Sequence, residues 1–233
     1  SEWKTHSKNA GIYLSLEQMD CGVTPTYFQR NTYPPSRRNS IRVIHDGIDT
    51  DRLCPRPNAQ FNYGEFSFTR DDEVLTFVSR SLEPTRGFHT FMRSLPTLQQ
   101  LRPNLHVLVV GTSGTGYGRA PDVPFKEQLL AELADDLDLS RIHFTGRLHY
   151  DQFVDMLSIS SCHVYLTVPF VLSWSMLESM SLGCLLLASS TDPVKEVIDD
   201  SFNGFLCDFF DSEAMAHRAS DLLANRHDYQ EIR

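Results

Sequence analysis

The sequence predicts an α/β fold in which helices cover both faces of a doubly wound parallel sheet. Three observations predict it. Six short runs, Val74–Val78, Val107–Val110, Ile142–Thr145, Val164–Val168, Leu185–Ala188 and Gly204–Cys207, are predominantly apolar instead of alternating, the pattern of strands buried on both faces. Helical spacing separates each run from the next, which calls for parallel pairing through crossovers. Right-handed crossovers then wind the sheet, and ligands of such sheets sit beyond the carboxyl ends of the strands.

Before the first strand, residues 1–40 carry turn signals at Asn9-Ala10-Gly11, Thr24-Pro25-Thr26 and Tyr33-Pro34-Pro35 without a sustained period. They are expected to be the end of another unit, and residues 41–233 the nucleotide-binding unit. Ile41–Ile44 reads as a short strand closed by the Asp46-Gly47 turn. Asn58–Asp72 reads as a polar loop dotted with aromatics, too long for a simple connector. Gly87–Leu101 has helical spacing through Phe88, Phe91, Leu95 and Leu98, with Pro96 expected to bend it. Leu129, Leu130, Leu133 and Leu137 share a helical face, and Phe153, Met156 and Leu157 mark the next helix. A central helix over Ser173–Leu182 is stopped by Gly183. Asp192-Pro193 opens a helix as cap and first residue, and Met215, Ala219, Leu222 and Leu223 mark the last one.

Bulk properties narrow the function. The formal charge of −9 argues against a nucleic-acid surface, which needs dense Lys and Arg. No apolar run reaches the roughly 18 residues that span a bilayer. Five well-separated cysteines and nine histidines show no metal-ligand spacing, so no metal is expected. An odd set of scattered thiols fits a reducing compartment, and a cytoplasmic location is expected.

Chemistry is then sought at the strand ends. After the first strand, Arg80 and Arg86 stand six apart, the second directly before Gly87 and a helix, so two guanidinium groups and a helix start can meet a diphosphate. Arg80 paired with Glu83 is the alternative. Gly111–Gly118 lacks both the P-loop close and the dinucleotide spacing, and reads as a surface loop. Thr145-Gly146 ends the third strand where a flat base can approach the backbone, or simply where a tight turn sits. The loop through Ser173, Trp174 and Ser175 opens a helix whose free N–H groups suit phosphate, with Glu178 one turn in, within reach of a ribose hydroxyl. By residue type alone, Ser173 is equally a cap and Glu178 equally a first-turn carboxylate.

The order of these parts resembles the C-terminal, Rossmann-like donor half of a retaining GT-B glycosyltransferase of the glycosyl transferases group 1 family. His45-Asp46-Gly47-Ile48-Asp49 is similar to its interdomain segment, Arg80 and Arg86-Gly87 to its diphosphate-holding pair, and Thr145-Gly146 to its base-contacting turn. Leu177-Glu178-Ser179-Met180-Ser181-Leu182-Gly183 resembles its signature helix. One departure stands out: the family's first glutamate falls eight positions before Glu178, where this chain has Phe170.

The resemblance implies transfer of a hexose from a nucleoside diphosphate sugar to an acceptor hydroxyl with retention, and no cofactor. Arg80 and Arg86 would act on the leaving group, while Gly87, Thr145, Gly146, Ser173, Trp174, Ser175 and Glu178 would bind the nucleotide. A glycan or other hydroxyl acceptor would be held by an N-terminal domain, of which residues 1–40 would be the last part, so the chain is expected to be inactive alone. The alternatives are a non-catalytic interaction module of the same fold and a nucleotide-sugar 2-epimerase.

Overall fold

The computed structural model describes residues 2–114, 116, 121–229 and 232, with the side chains of residues 2 and 4–6 left aside. The chain divides into two compact units, Ser1–Gly47 and Ile48–Arg233.

The first unit opens with a helix, α1 (Glu2–Gln18), where the turn signals predict a broken segment. Periodicity does not reveal it. Trp3, Ile12, Tyr13 and Leu14 are exposed and Leu16 is buried, so no apolar stripe runs along it. Strand β1 (Gly22–Thr24) follows, then α2 (Tyr27–Thr32), α3 (Pro35–Arg38) and β2 (Ile41–Val43). Thr26 caps α2 by accepting from the Gln29 amide at 3.1 Å, and Pro35 fills the first position of α3, where a missing N–H costs nothing. The strand expected at Ile41–Ile44 thus pairs in parallel with β1 and belongs to this unit, placing the division at Gly47 instead of at residue 40.

The second unit begins with a hairpin, β3 (Gln60–Tyr63) and β4 (Phe66–Thr69), in the stretch expected to be a loop. Its strands are only four residues long, so the alternation of Phe61 with Tyr63 and of Phe66 with Phe68 is too brief to register as a period. Phe61 and Phe68 are buried against one face of the main sheet.

The main sheet comprises β5 (Val74–Ser81), β6 (His106–Thr112), β7 (Ile142–Gly146), β8 (Cys162–Tyr165), β9 (Leu186–Ser189) and β10 (Phe205–Cys207). All its pairings are parallel, in the order β10-β9-β8-β5-β6-β7, as the apolar runs predict. Between them run α4 (Phe88–Leu101), α5 (Phe125–Glu132), α6 (Tyr150–Ser158), α7 (Trp174–Ser181) and α8 (Asp192–Lys195), with α9 (Ser212–Ala224) after the last strand. Helix α4 continues through Pro96, and α8 has Thr191 as its cap residue, one position before the expected Asp192. A proline at the second helical position leaves the cap to the residue before Asp192.

Alternate residues of one strand serve opposite faces. Leu75 and Phe77 of β5 pack with α4 residues Phe88, Phe91, Met92, Leu95 and Leu98, and with Met215, Ala219 and Leu222 of α9. Val74 faces the other side, with Val154 and Leu157 of α6 and the hairpin phenylalanines. Tyr165, Leu186 and Ala188 meet Met176 of α7 and Val194 of α8. Between β5 and β8 lies a buried polar trio: Thr76 Oγ1 is 2.7 Å from Ser160 Oγ and 2.9 Å from His163 Nδ1.

The strand order reverses direction between β5 and β8, since β6 and β7 continue to one side of β5 and β9 and β10 to the other. A reversal of this kind opens a crevice at the carboxyl ends of the two central strands, because their connections leave toward opposite faces.

Candidate functional site

At the carboxyl end of β5 the chain turns from apolar to polar at Ser79. The Ser79 hydroxyl donates to the Ser81 carbonyl at 2.6 Å, and the Leu82 amide donates to Thr112 at the end of β6 at 2.9 Å. Arg80 projects from this curl, exposed, with no hydrogen-bond or ion-pair partner for its side chain among the described residues. A single 3-10 turn, Pro84–Arg86, leads to Gly87, which caps α4 with φ +67. A Cβ on Gly87 would lie 2.4 Å from Leu166 Cβ, so both dihedral and packing demand glycine. Its amide is already donated to the Pro84 carbonyl at 2.9 Å, so what Gly87 supplies is the turn that joins the 3-10 segment to α4.

Arg86 is half-buried and oriented by the chain after β8. Its Nη1 donates to Thr167 Oγ1 at 3.0 Å, to the Val171 carbonyl at 3.1 Å and to the Tyr165 hydroxyl at 3.5 Å. The same Tyr165 hydroxyl accepts the Ser173 amide at 2.8 Å, linking Arg86 to the start of α7. Burial raises the Tyr165 hydroxyl above its ordinary pKa, which keeps it protonated.

Glu83 reads in sequence only as a partner for Arg80, and the geometry gives it another task. It is buried, accepts the Thr85 hydroxyl at 2.8 Å and accepts the Gly116 amide at 3.0 Å. The glycine-rich stretch is thereby tethered at Gly116, and Gly111, Thr112, Gly114 and Gly116 wall a cleft of about 700 Å³ together with Ser79, Arg80, Arg147 and Tyr150. The described residues agree with a surface loop, since Thr112, Ser113, Gly114 and Gly116 are exposed, and the geometry adds that a buried carboxylate tethers it at Gly116. Gly118 lies outside the described residues. A smaller hollow of about 100 Å³ adjoins, lined by Arg80, Glu83, Arg86 and Gly116.

On the other flank, β7 ends at Thr145-Gly146. Gly146 has φ +68, and the space where a Cβ would stand holds no atom within 4 Å. Its neighbours Arg147 and Leu148 line the cleft. The Thr145 hydroxyl is turned to backbone, 3.4 Å from the Val109 carbonyl.

Ser173 occupies the cap position of α7 but its side chain makes no capping bond; its Oγ lies 3.0 Å from Ser175 Oγ. Trp174 is 62% exposed. Glu178 is 8% exposed and accepts the Tyr150 hydroxyl at 2.9 Å. Burial lifts its carboxyl above the usual carboxylate range, while Tyr150 opposes the rise.

Of the nine residues that the sequence points to, Arg80 and Arg86 line the cleft or the adjoining hollow, and Gly87, Thr145, Gly146, Ser173, Trp174, Ser175 and Glu178 do not. Arg80 and Arg86 meet around one hollow, with Gly87 behind them. Glu178 stands one hydrogen bond behind the wall of the larger cleft, reached through Tyr150. Glu83, Arg147, Tyr150, Tyr165 and Thr167 escape sequence reasoning as site residues. A carboxylate followed by proline between two arginines is the one local signal, for Glu83; Tyr150, Tyr165 and Thr167 meet Glu178 or Arg86 across 28, 79 and 81 positions of sequence. Among the described residues no group of three or more His, Cys, Asp or Glu side chains is placed to hold a metal ion, and no helix is long and apolar enough to cross a membrane.

Comparison with known proteins bears on the family and the fold. The model for glycosyl transferases group 1 matches residues 62–233, and that for the glycosyl transferase family 4 group matches residues 1–53. The phosphatidyl-myo-inositol mannosyltransferase of Mycolicibacterium smegmatis is 26% identical over 177 residues, covering 74% of this chain and 40% of the relative. Spore coat protein SA of Bacillus subtilis is 21% identical over 197 residues, covering 82% of this chain and 51% of the relative. The chain thus spans about half the length of the curated relatives it matches. Among solved structures, Anabaena Alr3699/HepE in complex with UDP-glucose superposes with a TM-score of 0.77 over 96% of this chain and 59% of that one, at 17% identity, a likeness of fold.

Proposed function

The chain belongs to the glycosyl transferases group 1 family, and from that premise we propose that its second unit holds a nucleoside diphosphate sugar at the switch point between β5 and β8, for transfer of the hexose to an acceptor hydroxyl with retained configuration. The observation that carries this reading is the convergence of Arg80 and Arg86 on one hollow at the carboxyl end of β5.

Negative charge develops on the diphosphate as the bond from the anomeric carbon breaks. Two guanidinium groups stabilise that charge, and Arg86, held by the chain after β8, does so without reorganising. Arg86 brings Nη2 and Nε to this task, since its Nη1 is engaged by the loop. The open backbone at Gly146 suits a flat nucleobase, and Glu178 suits a ribose hydroxyl. The acceptor oxygen forms the new bond to the anomeric carbon as the old one breaks. Its proton passes to a diphosphate oxygen, so no side chain of this chain is assigned as base and no cofactor is assigned a role. Residues 1–47 would be the last part of an acceptor-holding domain, which makes the chain a binder of donor and a poor catalyst alone. Its five free cysteines suit a reducing, cytoplasmic setting.

Calorimetric titration with UDP, GDP and ADP tests the reading. One nucleotide is expected to bind saturably, and Arg80→Ala and Glu178→Ala are each expected to cost about 1.5–3 kcal/mol, the range for hydrogen bonds to charged groups. Absence of binding by the folded chain would overturn it in favour of a non-catalytic module.

A further inference from the structure

In the proposed donor site Glu178 meets the ribose, and the role inferred for Tyr150 rests on that assignment. Glu178 does not itself line the cleft. Tyr150, the first residue of α6, does, and it also lines an adjoining hollow with Arg147, Leu148 and His149. Its hydroxyl donates to Glu178 Oε1 at 2.9 Å, across from one helix to another. The ring is steadied on its own side: the Arg52 guanidinium lies 5.1 Å from its centroid and pairs with Asp151 at 3.4 Å, and the Phe153 ring is 6.0 Å away. The second oxygen, Glu178 Oε2, receives no donor among the described residues.

A glutamate carboxylate turns in a broad, roughly two-fold well about its last torsion, so an untethered one must be ordered by its ligand. Tethering one oxygen removes that cost. We propose that Tyr150 is the positioning residue of the ribose site: it holds Glu178 by Oε1, leaves Oε2 for a ribose hydroxyl at the cleft wall, and so sets the preference for ribonucleotides over 2′-deoxyribonucleotides. The hydroxyl of Tyr150 is the part that matters, because the ring remains in Tyr150→Phe with its cation contact.

The test is equilibrium titration of the 233-residue chain with UDP and GDP and with their 2′-deoxy forms, on wild type, Tyr150→Phe, Glu178→Gln and the double variant. Tyr150→Phe is expected to weaken the ribonucleotide about tenfold, the effect of one charge-assisted hydrogen bond, and the deoxy form less than about twofold. In the Glu178→Gln background the same change is expected to leave the ribo-to-deoxy ratio where Glu178→Gln puts it. A Tyr150→Phe protein that retains the wild-type ratio, even if both affinities fall together, overturns this inference and leaves the donor-site reading standing. A folded wild-type chain that binds neither ribonucleotide overturns both.

Discussion

The Phe170 ring lies over the Arg86 guanidinium, 5.4 Å from its centroid to Cζ. Arg86 is therefore held on one face by an aromatic ring and at one nitrogen by three acceptors. At the position where the family places a glutamate, this chain has a group that steadies an arginine by its π-face instead of by charge.

That arrangement predicts unequal effects. Phe170→Ala is expected to weaken nucleoside diphosphate binding by less than about fivefold, since a partly exposed cation–π contact contributes roughly 0.5–1 kcal/mol and Thr167, Val171 and Tyr165 still hold Nη1. Arg86→Ala is expected to cost tenfold or more. Titration of both variants with the nucleotide that wild type binds decides the point; equal losses would mean that Phe170 contacts the ligand itself.

Gly87→Ala is expected to destabilise the chain by roughly 2–4 kcal/mol, because a methyl group 2.4 Å from Leu166 Cβ forces a backbone shift and φ +67 disfavours an L residue. Urea unfolding measures it. A loss below about 1 kcal/mol would show that α4 can shift away from β8 at little cost.

Glu83→Ala is expected to free the glycine-rich stretch by removing the acceptor of the Gly116 amide. Limited proteolysis should then cleave near Gly111–Gly116 well before it cleaves wild type. Unfolding should show a loss of about 1–3 kcal/mol from the donors left unpaired.

Stability is expected to fall as pH drops from about 6.5 toward 4. His163 is fully buried, and burial pushes its pKa down to about 4. In that window the unfolded chain takes up a proton that the native imidazole refuses, so the unfolded state gains on acidification. The contribution is roughly 3 kcal/mol, present in full above the ordinary histidine value and lost by about pH 4. His89, His106 and His143, also lowered first by burial, add to the slope, while Glu178, raised by burial, opposes it. Urea midpoints at pH 7 and 4.5 for wild type and His163→Gln check this; an unchanged difference in the variant would place the slope elsewhere.

The parallel sheet was legible because its strands are buried on both faces, and two-sided burial writes itself into sequence as unbroken apolar runs at Val74–Val78 or Leu185–Ala188. Arg80, Arg86 and Glu178 stood out as candidates in the sequence because strand ends are where such a sheet presents chemistry. Helix α1 and the β3–β4 hairpin were not, since the first lacks an apolar stripe and the second is shorter than any period it might display.

By itself, then, the sequence determined the α/β class, the parallel pairing and the position of the loops at the carboxyl ends of the strands, because each follows from local hydrophobic patterning. Tertiary structure alone decided that Tyr150 holds Glu178, that Glu83 tethers the glycine-rich stretch at Gly116, and that Phe170 and Thr167 orient Arg86. These are single contacts between distant residues. A hydrogen bond across 28, 33 or 81 positions leaves no period in the chain, and its energy depends on a distance that only the folded sheet sets.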